Sequence, residues 1–481
     1  MKDARNETSA KNVHSGSAKP SRKPSRRDFL VATAAGGAGL LMGAAAMAQE
    51  EAESAAAAPA SESLAPAVAP SSNDLNIAMI GLGAEGMILM ESILRIPGIR
   101  VKAICDIWEY SQRRASGTLR KYGHEHNLYV DYRELLTNEK DLDAVIVATP
   151  DFMHAEHTIA CLKAGLHVYC EKEMANTIEG AKRMLLAQRE TGKLLQIGHQ
   201  RRSNPRYLNA IGSLVREHRL LDRITHANAQ WNRAKSEDLG WPKRYEIDPA
   251  TLAKYGYDSM HHFRNWRWYR KYGGGPVVDL GSHQIDIFNW VFGAPPRSVV
   301  ASGGIDYYTQ HEWFDNVLAI YEYDTPEGVS RAFYQVLTTS SNGGFYETFM
   351  GVNGTLVISE VPMRGNHFLK EVHAPDDPWN KLVAAGLLSK PDETAVAAAP
   401  TKDTFVDVRV TKRLGSWDLT LQLNKPAHQP HLENFFDAVR TGVPLNCPAD
   451  IGYETAVCVL KANAAVEAGT RLPFLPEEFQ A

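Results

Sequence analysis

The sequence predicts an α/β fold in two parts: a doubly wound parallel sheet, then a C-terminal α/β domain with a mainly antiparallel open sheet. Three observations predict it. A strand, a glycine-rich turn, a helix, a second strand and an acid follow one another between Leu75 and Asp106. Strand-like and helix-like segments then alternate as far as Gly198, the pattern of βαβ units, whose parallel strands need helical crossovers. From about Ser203 the rhythm changes to longer alternating runs joined by short turns, which reads as antiparallel pairing with one face packed on helices.

The opening unit carries the most chemistry. Leu75-Asn76-Ile77-Ala78-Met79-Ile80 is an apolar run rich in strand formers, and Gly81-Leu82-Gly83-Ala84-Glu85-Gly86 follows at once. Met87 to Ile96 has helical spacing, and Val101 to Cys105 is a second strand ending at Asp106. These are the parts of a Rossmann dinucleotide site, in its order. Gly81 permits the tight turn. Gly83, lacking a Cβ, lets the backbone approach a pyrophosphate. Gly86 lets the helix lie close on the strand. The helix N-terminus, with Ala84 and Glu85, offers free N–H groups and partial positive charge to phosphates. Asp106 accepts hydrogen bonds from an adenosine ribose and would repel a 2′-phosphate, so NAD is expected over NADP. Arg113 and Arg114, close downstream, pull against that preference. The bland alternative is a plain βα turn.

Ser111 to Tyr122 reads as a helix, Leu128 to Val130 as a strand and Tyr132 to Thr137 as a short helix. Leu142 to Thr149 is an apolar run of buried-strand type, and His154 to Ala164 is a helix capped by Gly165. The strand Leu166–Cys170, the helix Ile178–Thr191 and the strand Leu194–Gly198 complete the domain. Ligands of such sheets bind beyond the carboxyl ends of the strands. Thr149-Pro150-Asp151, Glu171-Lys172 and His199-Gln200-Arg201-Arg202 gather there, and Thr149, Pro150, Glu171 and Lys172 join the expected cofactor-binding set. A lysine at that position can bond a substrate hydroxyl and favour its deprotonation; the alternative is a solvated surface lysine. His154 and His157 read as helix-surface residues, and His199 is open.

In the second domain, Thr225 to Trp231 alternates as a strand does. Aromatic and basic residues cluster from Asn265 to Tyr272, suited either to stacking on sugar rings or to filling a core. Gly273-Gly274-Gly275-Pro276 then precedes a helix on which Asp279 and His283 are four residues apart and share a face. An acid beside an imidazole orients it and raises its basicity, which suits a general base. Asp286 lies near the same face, so a metal set of Asp279, His283 and Asp286 is a weaker alternative, and no metal is expected. Gly281 points to a close approach. Val299–Ile305, Val317–Tyr323, Ser330–Thr338, Glu347–Gly351 and Gly354–Ser359 are successive strands. Residues 360–425 read as irregular, with a low-complexity stretch from Ala384 to Pro400. His431–Thr441 and Ala449–Gly469 are helices.

The chain begins differently. A polar, basic segment leads to Ser25-Arg26-Arg27-Asp28-Phe29-Leu30, then an Ala- and Gly-rich apolar run to Met47 and a small-x-small site at Ala46-Met47-Ala48. This resembles a twin-arginine export signal (1–48), cleaved and not left as a membrane anchor. Residues 49–73 are mostly Ala, Glu, Ser and Pro and read as a disordered tether. The expected domains are then 74–202 for NAD and 203–481 for substrate and oligomer contacts. Export by that route carries a folded protein into a periplasm without a dependable free nicotinamide pool. A cofactor held tightly and returned to its starting state in each cycle follows as an expectation. Net charge is -4, with no basic stripe to suggest nucleic acid. The five cysteines form no CxxC pair and read as buried free thiols.

These landmarks together resemble the Gfo/Idh/MocA family of nicotinamide-dependent oxidoreductases over residues 75–475. The pieces that carry the resemblance are the glycine turn, Ala148-Thr149-Pro150, Glu171-Lys172-Glu173, Gln200 through Tyr207, and Gly273 through Asp279 and His283. The resemblance implies a Rossmann domain, a C-terminal open sheet that makes oligomer contacts, and a sugar or cyclitol substrate. It implies Lys172, Asp279 and His283 as catalytic residues, with His283 transferring the proton. The substrate-binding set expected with them is Arg202, Tyr207, Trp266 and His283. The family has proline where this chain has Glu173, which relaxes the backbone after Lys172 and adds a charge. The exported glucose–fructose oxidoreductases of the family are similar in architecture and targeting. Three functions compete. The first is a sugar or polyol oxidoreductase with recycled cofactor; the second is an NAD-dependent glycoside hydrolase using transient oxidation and elimination. The third is a non-catalytic periplasmic sugar-binding protein.

Overall fold

The computed structural model describes residues 74–361, 365–390 and 414–481. The expected signal and tether, and residues 391–400 of the low-complexity stretch, lie outside the described residues. The first domain runs β1 (Leu75–Ile80), α1 (Ala84–Ile93), β2 (Ile99–Cys105), α2 (Glu109–Lys121), β3 (Asn127–Tyr129), α3 (Tyr132–Asn138) and β4 (Ala144–Val147). It continues with α4 (Asp151–Lys163), β5 (His167–Cys170), α5 (Ile178–Thr191) and β6 (Leu195–Ile197). All strand pairs are parallel, in the order β3-β2-β1-β4-β5-β6. The order reverses between β1 and β4, which opens a crevice at their carboxyl ends. β4 is buried at every position, as a strand covered by helices on both faces must be. Each such aliphatic side chain contributes about 1.5–3 kcal/mol by leaving water.

Beyond β6 the chain makes a 3₁₀ turn, a short helix (Pro205–Tyr207) and a π-helical stretch (Leu208–Glu217) that the sequence pattern does not place. β7 (Ile224–Asn232) follows. Residues 233–274 form a strap with two short helices, α6 (Pro249–Lys254) and α7 (Met260–Arg264). α8 (Gly275–Phe292) is the central helix. β8 (Ser298–Gly304), β9 (Asn316–Thr325), β10 (Gly328–Leu337), β11 (Phe345–Gly351) and β12 (Gly354–Ile358) build the large sheet. The stretch expected to be irregular adds β13 (His367–Lys370), α9 (Asp376–Ala384), β14 (Leu388–Ser389) and β15 (Ser416–Leu419). These strands were not legible because they are two to four residues long, too short for period-two alternation to emerge. α10 (Gln429–Thr441), α11 (Ala449–Ala468) and β16 (Leu472–Pro473) end the fold.

The large sheet has ten strands in the order β14-β15-β13-β12-β11-β7-β10-β9-β8-β16. It is antiparallel except where β7 and β10 pair in parallel. α8 lies on its inner face. A Cβ added to Gly281 would stand 2.8 Å from the ring of Tyr334 on β10, so the close approach is helix-to-sheet packing. The two domains interlock: Leu432, Phe435 and Phe436 of α10 are buried in one cluster with Ile77, Met79 and Met90 of the first domain. All five cysteines are buried and free.

Candidate active site

The glycine turn has the geometry its residue types demand. Gly81 adopts φ +93°, and a Cβ there would meet Ala148 O at 2.4 Å. A Cβ on Gly86 would meet Gly81 O at 2.2 Å, so the glycine seats α1 against its own turn. A Cβ on Gly83 would meet nothing within 4 Å; the backbone there faces open space, as a phosphate cradle requires. That space is a cavity of about 360 Å³ at the carboxyl ends of the parallel strands. Gly81, Gly83, Ala84, Glu85, Asp106, Thr149, Pro150, Glu171 and Lys172 all border it, and of the expected set only Gly86 does not.

Asp106 is anchored by backbone. Leu82 N–H donates to its Oδ2 at 2.7 Å and Trp108 N–H to its Oδ1 at 2.8 Å. Burial pushes its pKa up to about 6, against the pull of those N–H groups and of Arg264. Arg264 comes from the strap, and its guanidinium lies 4.7 Å from the Trp108 ring. Trp108, Tyr257, Met260, Tyr269 and Tyr272 form a separate apolar cluster that fastens the strap over this end of the cavity, and Trp108 Nε1 donates to Tyr245 O at 2.7 Å. A sequence without periodicity in this stretch gave no sign that it would roof the first domain.

The other end of the cavity holds Lys172. Its Nζ donates to Asp279 O at 2.8 Å and to Asp279 Oδ1 at 3.2 Å. Arg267 Nε lies 3.2 Å from the same oxygen. Burial is the largest influence on Lys172 and opposes its charge, but Asp279, Glu171 and Glu85 together outweigh it and the pKa is raised. Asp279 is held well below the usual carboxylate range, since Arg267, Lys172 and Arg233 outweigh its burial. Here the expected acid–imidazole pair is corrected. The carboxylate of Asp279 serves the two cations, and His283 instead tilts against Trp231 with ring centroids 5.4 Å apart. Burial and the charges of Lys172 and Arg201 push the His283 pKa down, not up. His283 is neutral at neutral pH, as a proton acceptor must be, while burial and the two cations make it a weaker base than a free imidazole.

Four other expected residues do not border the cavity: Asp279, His283, Arg202 and Tyr207. Arg202 Nε donates to both carboxylate oxygens of Asp286, at 2.8 and 2.9 Å. Tyr207, fully buried, donates its hydroxyl to Glu347 at 2.7 Å. Both groups are engaged in internal pairs in place of the substrate contacts expected of them. Asp286 also accepts from Thr455 at 3.0 Å, which occupies the carboxylate of the metal alternative. Trp266 does border the cavity, and Arg267 stands 4.4 Å from its ring centroid.

The α4 histidines are buried, not surface residues. His154 faces the carbonyls of Glu173 and Thr149 at 2.7 and 2.5 Å, and His157 faces Thr149 Oγ1 at 3.1 Å. Asp151, at the start of the same helix, is pushed up to about 7 by burial and by Asp279. Glu171 is pushed up to about 7 by burial and by Glu85. The Lys172–Glu173 peptide is cis. Glu173 is buried, accepts Met174 N–H at 2.6 Å and has its pKa pushed up to about 8, chiefly by burial. It therefore adds little negative charge beside Lys172 at neutral pH.

Comparisons with known proteins agree with this geometry. A family model described as an oxidoreductase family with an NAD-binding Rossmann fold (GFO_IDH_MocA) matches residues 75–199, and a GFO/IDH/MocA C-terminal domain model matches residues 219–356. The chain is similar to a 1,5-anhydro-D-fructose reductase of Ensifer adhaerens, at 29% identity over 46% of this chain and 57% of that one. It is also similar to a protein of Shewanella sp. (strain ANA-3) named glycosyl hydrolase family 109 protein 2, at 29% identity over 53% of this chain and 54% of that one. The chain thus spans little more than half the length of these curated relatives. Among solved structures, an aldose-aldose oxidoreductase from Caulobacter crescentus aligns with a TM-score of 0.61, at 18% identity over 83% of this chain and 100% of that one. At that identity the likeness is one of fold.

Proposed function

The chain is a member of the Gfo/Idh/MocA oxidoreductase family, and from that premise we propose that it is a nicotinamide-dependent oxidoreductase acting on a hydroxyl or keto group of a sugar or related polyol. The observation that carries the reading is one cavity with a glycine phosphate cradle and Asp106 at one end and Lys172, bonded from behind the lining by Asp279, at the other. The glycine turn and α1 would hold the pyrophosphate, and Asp106 the adenosine ribose. The fixed carboxylate of Asp106 favours NAD over NADP. When bound, the nicotinamide supplies hydride acceptance and return. Lys172, kept protonated by Asp279, donates to the substrate oxygen and stabilises developing negative charge. Neutral His283 takes the hydroxyl proton. Trp266 offers a flat apolar wall to a ring.

The strap favours a cofactor that stays bound and is recycled within the cycle, in keeping with an exported protein that leaves the cytosol already loaded. The test is mass spectrometry of the nucleotide released on denaturation, with its stoichiometry, followed by turnover of sugar pairs without added cofactor. Near one NAD(H) per chain is expected. A nearly empty protein that binds NAD weakly overturns recycling. The name of the Shewanella relative keeps a second reading, a glycosidase that oxidises its substrate transiently and eliminates the glycosidic bond. Release of free sugar from a glycoside, with solvent deuterium at the carbon that lost its proton, would select it. The partner expected with either reaction is a second copy of the chain, meeting through the outer face of the large sheet, where Leu318 and Ile320 are exposed.

A further inference from the structure

β5 and β6 run parallel with Cys170 opposite Ile197. Lys172 and His199 each stand two residues past that pair, so they leave neighbouring strand ends side by side. The residue between Ile197 and His199 has no room for a side chain: a Cβ on Gly198 would lie 2.7 Å from Glu171 Oε1. The backbone is held where His199 emerges, Gly198 N–H donating to Cys170 O at 2.8 Å. His199 is 1% exposed, and neither of its ring nitrogens has a hydrogen-bond partner. Nδ1 of His283 is buried and unpartnered as well. Lys172 is near enough to both rings for its charge to oppose their protonation, and the two rings, which come from different domains, are near enough for His199 to act on His283. Trp231 adds an aromatic face against His283, and Arg201, 5.6 Å from that face, has its Nη2 buried without a partner.

Buried polar atoms are paired in folded proteins, so several orphaned ones around one point mark a place for polar ligand groups. Donors, acceptors and an aromatic wall converging at a strand end are the chemistry that reads a polyhydroxylated ring. We propose that His199 is a specificity residue for this reaction: its imidazole hydrogen-bonds a hydroxyl of the ring that Lys172 and His283 hold, at a position other than the one oxidised. Burial pushes the His199 pKa down to about 4, so the ring is neutral, with one nitrogen donating and one accepting. A hydroxyl satisfies both roles in turn; a hydrogen atom in its place satisfies neither. The assignment rests on the oxidoreductase reading above.

The experiment compares the full-length holoprotein with His199→Phe, which keeps a planar ring and removes both nitrogens, and His199→Gln, which restores one donor and one acceptor. The probes are D-glucose, D-galactose and myo-inositol, with the monodeoxy analogues of each. The readouts are reduction of the bound nucleotide, KM and kcat separately, and the thermal midpoint. A site built on a hydroxyl rejects the analogue lacking it by roughly 10⁴-fold. Wild type is expected to reject one deoxy position that strongly. His199→Phe is expected to raise KM for the parent sugar by roughly 10²-fold and to erase discrimination at that position alone, with His199→Gln restoring part of it. Unchanged discrimination in His199→Phe, or a change in thermal midpoint only, overturns the assignment and leaves the oxidoreductase reading standing. If no probe reduces the nucleotide or shifts the midpoint in wild type, the sugar reading itself falls and the assignment with it.

Discussion

Lys172 is a half-buried cation whose protonation the fold maintains. The ammonium bonds both the carbonyl and the carboxylate of Asp279, and this two-point hold fixes where its third proton points. Replacement by methionine keeps the volume of the stem and removes the donor. Lys172→Met is expected to lower kcat by about 10²–10⁴-fold, while nucleotide stoichiometry after gel filtration stays that of wild type. Equal loss of nucleotide and rate would mean that Lys172 serves cofactor binding alone. Much of this site was legible in the sequence because its parts are tied to strand ends: the turn, Asp106, Thr149 and Lys172 follow from where strands stop. The partner of Asp279 was not. Helical spacing places Asp279 and His283 on one face, but it cannot report that Arg267 arrives from the preceding loop and that Lys172 arrives from the other domain. A carboxylate flanked by two cations at 3.2 Å has no reason to turn to a neutral imidazole. Arg202 and Tyr207 eluded the sequence for a related reason: Asp286 and Glu347, which engage them, are 84 and 140 residues away.

At the scale of elements, the strap between β7 and α8 supplies part of the cavity wall through Leu239, Tyr257, Arg264 and Trp266. Its helices have six and five residues, below the length at which an isolated helix persists. Their order depends on the aromatic cluster, to which the first domain contributes Trp108, 4% exposed and bonded to Tyr245 O, and Phe152, edge-on to Tyr257. The same brevity explains why the strap could not be placed from sequence. Trp108→Ala removes one anchor without touching the glycine turn, and truncations of this kind cost about 3–5 kcal/mol of packing. The expected outcome is faster release of nucleotide, by at least about tenfold, with little change in the initial rate under saturating added NAD. Stopped-flow displacement by excess labelled nucleotide measures it. Release at the wild-type rate would separate the strap from cofactor retention.

The whole molecule carries an unusual load of buried titratable groups, and they act on its stability from two sides. The histidines His157, His199 and His431 are buried and held to about 3, about 4 and about 3. An unfolded chain binds protons on them near pH 6.5 while the native state does not, so stability is lost as pH falls below that value. The acids work the other way. Glu173 titrates at about 8 in the fold against 4.5 for an ordinary glutamate, and Asp151 at about 7 against 3.8 for an ordinary aspartate. Between those values the native state binds the extra proton, so stability falls as pH rises, and for Glu173 the fall continues to about pH 8. Above about pH 6.5 the histidines no longer contribute to the slope and the raised acids alone set it, so stability falls from there toward pH 8. Glu173 is the group to isolate, because it titrates at the higher pH of the two. Glu173→Gln keeps an acceptor for Met174 N–H and cannot ionise. Its stability relative to wild type is expected to rise by about 2 kcal/mol between pH 6.5 and 8, at about 1.4 kcal/mol per pH unit. Thermal or urea unfolding of both proteins across that range measures the difference. A difference that stays flat would mean that Glu173 is already ionised at pH 6.5, and that the native state accommodates a second negative charge beside Lys172.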